Sequence, residues 1–504
     1  MSDTRVRSVA IVGGGTAGWF AAAALGFVLG PQRAQVRVIE TPGSAEERLG
    51  AHAAIPPVRV WHNRLGFDEN DLLRKTQGAF SLGVEYRDWT RAGRAYFHAY
   101  GEIGAPFDGL SFHHHWLKLR QSSDAKLTDY SVGAVMAKRG RFARPANDPS
   151  SVLSTYGYGL HLDAALYQRS LRAFAESKGV AAVSAGVRDV RLRAGDGYIE
   201  AVELDNGERV EADLFIDCTP EGRLIGDALG VAHEDWSALM PCDRVAAIEC
   251  ENASDLVPFS RATAREAGWQ WRAPTQKRIA NASFYCSRFQ SDDEAASKLL
   301  ASLDGKAIGE PRLTRLASGV RGEFWKRNCV SLGPAAGDLE PIDAANLHLL
   351  HRSITRLVDL FPDRECRPRE SAEYNRLVRN EFERVRDMAA LHYHANEREE
   401  PFWAERRAAA LPETLQRKLK LFRSRGRVVL LDEETFLEAN WVSVFVGQNV
   451  LPDRGDPLIE SVDAERMKNN LARMRTMIAQ AAETVPTHRA YVEAHCAAPS
   501  EARA

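Results

Sequence analysis

The chain has 504 residues, with 66 Lys+Arg against 68 Asp+Glu for a formal net charge of −2, and 44% of its positions are hydrophobic. That balance leaves no compositional case for a nucleic acid or an anionic membrane as partner. Charged residues at 27% and aromatics at 8% describe an ordinary globular chain, long enough for a large buried core.

Residues 7–12 (RSVAIV) predict a buried strand, and GGGTAG at 13–18 predicts a glycine turn opening an Ala-rich helix to about residue 27. A second strand, QVRVIE, ends at Glu40, 27 positions after Gly13. This is a βαβ opening of the dinucleotide-binding kind. Gly13 permits the tight turn, Gly15 lets a pyrophosphate approach the backbone, and Gly18 lets helix and strand pack closely. Thr16 and Ala17 open the helix, whose N–H groups face the phosphates, and Glu40 is placed to bond a ribose hydroxyl. The runs VSAGVRDVRL and GYIEAVEL, with the turn DNGE at 205–208, predict a strand meander that ends in ADLFIDCTP at 212–220. RNCVSLGPAAG at 327–337 predicts another strand entering a glycine turn. From about 351 the pattern becomes amphipathic helix. The expected class is therefore α/β: a Rossmann-type fold with an interleaved substrate-side β-sheet and a helical C-terminal region. The expected division is an α/β module over 1–350, with substrate-side segments at about 90–160 and 220–310, and a helical region over 351–504.

Seven cysteines without C-x-x-C spacing imply neither a disulfide framework nor a zinc site. Adjacent residues of His113, His114 and His115 would face opposite ways on a strand, so no metal site is expected from them. The start lacks an apolar leader segment, and no stretch reaches the roughly 20 apolar residues of a membrane span. A cytoplasmic protein is expected.

Eight ordered strings resemble the flavin-dependent tryptophan halogenase family: GGGTAGW at 13–19, AAIPPVRVWHNRLGFDENDLLRKTQGAFSLGVEYRDW at 53–89, YGLHLDAALYQRSLR at 158–172, DLFIDCTP at 213–220, GWQWRAP at 268–274, NCVSLGPAAGDLEPIDAANLHLL at 328–350, YNRLVRNEFERVRD at 374–387 and LHYHANEREEPFW at 391–403. GWQWRAP is the most specific of them. The resemblance implies a Rossmann-type FAD fold and an oxidoreductase that takes reduced FAD from a separate flavin reductase. With O2 it would form a hydroperoxyflavin that acts on an aromatic or amino-acid-like substrate. A halide and a second copy of the chain are further expected partners; nucleic acid and membrane are not. Gly333, Gly337 and Leu339 match a loop that contacts the flavin, and Asp217 matches the second flavin-site strand. Trp269, Trp271 and Pro274 match the substrate pocket, although tryptophans two apart on a strand serve equally well as core.

The two groups that decide the family's chemistry are altered. A lysine follows the phenylalanine of the stretch matching GAFSLGVEYRDW in the family, whereas Ser81 follows Phe80 here. A hydroxyl has no basic nitrogen to halogenate and no permanent charge. The family's glutamate, followed by Ser-Thr, is matched by Asp343, Ala344, Ala345 and Asn346, so the carboxylate reaches about 1.5 Å less far. Ala51-His52 stands where the family has Gly-Glu. Lys75, six positions before Ser81, is expected to point elsewhere. Ser81 and Asp343 are the catalytic candidates, with two plainer readings: Ser81 as an inert filler and Asp343 as a helix N-cap. His392 and His394 are expected to pack or hydrogen-bond on a helix. A catalytically silent flavin-binding or partner-regulated protein is the alternative function.

Overall fold

The computed structural model describes residues 4–41, 48–120, 122–252 and 255–499. Five strands of the first sheet run parallel in the order Ala181–Ser184, Gln35–Glu40, Ser8–Val12, Leu214–Asp217 and Cys329–Ser331, and the short Trp325–Lys326 joins the edge antiparallel. The inner strands SVAIV, LFID and CVS are apolar almost throughout because both their faces are covered. Successive strands are added on opposite sides of Ser8–Val12, Gln35–Glu40 on one and Leu214–Asp217 on the other. The loops after Val12, Asp217 and Ser331 therefore part at the carboxyl edge of the sheet, the place where such folds form a ligand crevice.

The helix Thr16–Leu29 is buried on every side from Thr16 to Gly26, which is why TAGWFAAAALG carries no polar face. Its glycines are steric requirements. A Cβ on Gly18 would stand 1.8 Å from the Gly13 carbonyl oxygen, and one on Gly13, at φ +117°, would stand 2.8 Å from the Cys218 backbone.

The second large sheet has seven strands, in the order Ala307–Arg315, Arg244–Glu251, Arg278–Tyr285, Gly268–Pro274, Ser260–Arg265, Gly83–Arg87 and Ala95–Ala99. All neighbours are antiparallel except Ser260–Arg265 with Gly83–Arg87. The chain leaves the parallel sheet twice to build it, once before and once after Leu214–Asp217. The expected meander near 183–204 divides at Gly186: Ala181–Ser184 joins the parallel sheet, while Val187–Leu192, Ile199–Leu204 and Arg209–Glu211 form a small antiparallel sheet.

The helical region begins earlier than the expected residue 351, at Asn346–Asp359, and continues through Pro368–His394 and five further helices to His488–His495. Pro368 occupies the first turn of the long helix, where its missing N–H costs nothing. His113, His114 and His115 lie on the helix Phe112–Leu119 rather than on a strand, and His113 Nε2 donates to the Gly426 carbonyl at 2.8 Å. No helix among the described residues is long and apolar enough to cross a membrane.

Candidate functional site

A cavity of about 420 Å³ opens at the carboxyl edge of the parallel sheet. Gly13, Gly14, Gly15, Thr16 and Ala17 line it from the first turn, Cys218 and Pro220 from the loop after Asp217, and Gly333, Gly337 and Leu339 from the loop after Ser331. Trp271 and Phe284, on neighbouring strands of the seven-stranded sheet, line it as well. Helix Thr16–Leu29 starts here with Gly15 as its N-cap, without a capping side chain and without an acidic residue in its first turn. Its first N–H groups and positive dipole end are thus available to an anion. Gly333, at φ +57°, brings its loop so close that a Cβ would stand 2.6 Å from the Ala17 side chain. His52 Nε2 lies 3.0 Å from the Thr16 hydroxyl at the rim. A backbone-lined, glycine-built crevice fits the pyrophosphate and ring of a flavin dinucleotide.

Several expected cofactor residues support this crevice from outside it. Gly18 is covered by the Gly13 carbonyl. Glu40 accepts the Trp19 indole N–H at 2.9 Å and an Arg172 N–H at 3.0 Å, with its methylenes against Gly14. Asp217 is fully buried and accepts four donors: the Thr219 N–H and hydroxyl and the Leu224 and Ile225 N–H groups. Burial pushes its carboxyl up and those four bonds act against the shift. Asp217 thus clamps the turn that presents Cys218 and Pro220 to the cavity.

The loop after Leu339 faces the cavity on one side and a buried cluster of polar side chains on the other. Pro341, Ala344 and Asn346 line the cavity, whereas Asp343 turns the other way. Ala344 is at φ +58°, and this left-handed residue turns the chain immediately after Asp343. Ala345, not Asp343, caps the helix Asn346–Asp359, so the N-cap reading of Asp343 is corrected. The Asp343 carboxylate meets Tyr86, His98 and His392: the Tyr86 hydroxyl donates to Oδ1 at 2.6 Å, and His98 Nδ1 and His392 Nε2 each lie 3.2 Å from Oδ1. Burial alone would raise its pKa, but His392 and then His98 outweigh burial and hold the carboxyl well below its usual range.

Sheet register explains this convergence. Tyr86 and Tyr96 are directly opposed across an antiparallel ladder and stack at 4.8 Å, and the His392 ring stacks on Tyr86 at 4.5 Å. Tyr96, His98 and Tyr100 alternate in sequence, and the first two share one face of the strand Ala95–Ala99. Tyr100 packs with Ile55 and Ala344. Burial first, and then the Asp343 charge, push the Tyr100 hydroxyl up. Ser81 is buried on the strand Ala79–Ser81, and its hydroxyl donates to the Gly83 carbonyl at 3.3 Å. Lys75 lies on an exposed helix face, paired with Asp71 at 2.7 Å.

The tryptophans of GWQWRAP play different parts. Trp271 reaches the cavity. Trp269 is fully buried, stacks on Phe284 at 4.5 Å and donates to Glu340 Oε2 at 2.7 Å. Glu340 also accepts from the Tyr393 hydroxyl at 2.6 Å and the Cys242 N–H at 3.0 Å, which fixes the loop carrying Pro341 and Asp343. The Pro274 carbonyl accepts from His161 Nδ1 at 3.0 Å. Among the described residues, no cluster of three or more His, Cys, Asp or Glu could hold a metal ion.

The family model for tryptophan halogenase matches residues 8–464. The chain belongs to the tryptophan halogenase family. Tryptophan 6-halogenase SttH of Streptomyces toxytricini is 27% identical over 98% of this chain and 99% of its own. Among solved structures, BrvH, a flavin-dependent halogenase from Brevundimonas sp. BAL3, is 39% identical, with a TM-score of 0.94 over 98% of this chain and 100% of that one. Xcc4156, a flavin-dependent halogenase from Xanthomonas campestris, is 37% identical, with a TM-score of 0.94 over 99% and 100%. This family member is a flavin enzyme with FAD as its cofactor.

Sequence reasoning missed Tyr86, Tyr96, His98, Tyr100 and Asn440. The alternating Y-x-H-x-Y of residues 96–100 was the available signal, since period two places such side chains on one strand face.

Proposed function

We propose that this enzyme takes reduced FAD from a separate reductase and uses O2 to oxidise an aromatic, indole-like substrate beside the buried side-chain cluster of Asp343, with halogen transfer not its main chemistry. The observation that carries this reading is Ser81. At the position the resemblance matches to lysine stands a buried hydroxyl engaged by the Gly83 carbonyl. It has one proton to donate and no charge with which to orient a polarised oxidant. Reduced FAD with O2 supplies the oxidising equivalents when bound. The protein's part is to hold the dinucleotide on the glycine turn and helix start of residues 13–17, to line the crevice with Trp271 and Phe284, and to offer Asp343 as proton acceptor on the far side of the 341–346 loop.

The test is a reductase-coupled reaction under O2 with indole and tryptophan, each with and without bromide, analysed by mass spectrometry. Little or no halogenated product is expected, because losing one positioned stabilising group costs about 10²–10³ in rate. Robust regioselective halogenation by the unmodified protein would contradict the reading. FAD binding without product from any arene would favour a silent flavin-binding protein.

A further inference from the structure

Asp343 is held unevenly. Its Oδ1 receives Tyr86, His98 and His392, whereas among these three groups only His392 Nε2 also reaches Oδ2, at 3.2 Å. The proton on each imidazole is fixed by what holds its other nitrogen. Asn440 Oδ1 accepts the Leu437 N–H at 2.8 Å, so the Asn440 Nδ2 group faces His98 Nε2, at 3.0 Å. An amide nitrogen only donates, so His98 Nε2 is bare and Nδ1 carries the hydrogen aimed at Asp343. At His392, Nε2–H points to the carboxylate and Nδ1 hydrogen-bonds with the Tyr96 hydroxyl at 2.7 Å. Both rings thus present an N–H to the Asp343 carboxylate. The groups facing it from the packed elements are Tyr86 on Gly83–Arg87, Tyr96 and His98 on Ala95–Ala99, Tyr100 just beyond, and His392 on Pro368–His394.

We propose that His98 and His392 are positioning residues that, with Tyr86, anchor Asp343 through Oδ1 and leave Oδ2 to receive a proton from the substrate. This rests on reading Asp343 as the proton acceptor. In the step, a substrate X–H bond breaks, its electron pair stays on the substrate, and the proton bonds to a lone pair of Oδ2. Tyr86, His98 and His392 keep their own protons, and no electron leaves the protein. A carboxylate fixed through one oxygen presents the other in a single direction, and the donors keep it ionised until the proton arrives.

Two measurements on the FAD-loaded protein test this. Ring ¹⁵N NMR should show a hydrogen on His98 Nδ1 and on His392 Nε2; a bare nitrogen at either of these positions would overturn the anchoring. With indole as probe, His392→Phe keeps the ring that stacks on Tyr86 but removes the donor, and His98→Leu removes the other. Each should lower kcat about 10- to 100-fold with KM unmoved, as expected for a lost hydrogen bond to a charged group. His392→Gln and His98→Asn place an amide donor where the imidazole donor was and should recover part of the loss. Equal loss in the amide variants, or none in His392→Phe and His98→Leu, would overturn the proposal. If His392→Phe does not fold, His98→Leu against His98→Asn decides alone. Turnover retained in Asp343→Asn would defeat the acceptor reading instead, while the tautomers report on the anchoring alone.

Discussion

The glycine-lined crevice and the buried Asp343 chamber of packed side chains lie on opposite sides of one loop and are built on opposite plans. The crevice is main chain: glycines at 13–15, 333 and 337, and a helix start with no capping side chain. The chamber is side chain: Tyr86, His98, Asp343, His392 and Asn440 arrive from five separate stretches and meet through hydrogen bonds. A surface made of N–H groups accepts a common cofactor and is damaged by added bulk. A cluster of side chains keeps its shape under substitution and is damaged by loss of a donor or an acceptor.

The largest expected effect is therefore at the crevice. Gly15 has φ −76° and ψ −173°, extended backbone open to any residue, so Gly15→Val tests space and not strain. Its side chain would take the room the pyrophosphate needs, and FAD binding should vanish from a folded protein, as read by flavin fluorescence titration. Unchanged affinity would mean that the crevice is not the dinucleotide site. Next comes the buttress between the two regions. Trp269→Phe retains a ring against Phe284 but leaves Glu340 short of one donor, which should cost about 1–3 kcal/mol in urea unfolding. A loss within measurement error would show that the Glu340 loop does not depend on that bond.

Acid should separate the scaffold from the chamber. Burial lowers His62 and His161 from the ordinary 6.5 to about 4. The unfolded chain then takes up these protons first, so stability falls as pH drops from about 6.5 toward 4, by about 2 kcal/mol for each histidine at pH 5. Asp343 has the opposite exposure to pH. Its folded value is depressed, so its contribution is complete above the unfolded value of about 3.9 and is lost only below it. Urea unfolding at pH 7 and pH 5 should show the histidine loss, and equal stability at the two would refute neutral burial of these rings.

The same contrast explains what was readable in the sequence. The crevice is written in contiguous residues: GGGTAG between a strand and a helix predicts the strand Ser8–Val12 and the helix Thr16–Leu29 almost to the residue. The parts of Glu40 and Asp217 were less readable, because a carboxylate at a strand end serves a ligand or a turn equally well, and only its partners, Trp19 and Arg172 or Thr219, Leu224 and Ile225, decide. The chamber depends on register. Tyr86 meets Tyr96 only because Gly83–Arg87 and Ala95–Ala99 pair as they do, and His392 arrives at the end of a 27-residue helix. Asp343 looked like a cap because a helix follows it, and the positive φ of Ala344 could not be seen beforehand.

The most direct test of the account is a paired measurement on Asp343→Asn: FAD affinity by fluorescence titration, and single-turnover product from reduced FAD, O2 and indole. Asparagine keeps an acceptor oxygen for Tyr86 and His98 but cannot take up the substrate proton. The account predicts unchanged FAD affinity with product formation lost, since the crevice and the chamber are separate structures. Product at the unmodified level would contradict it and leave Asp343 as a structural residue.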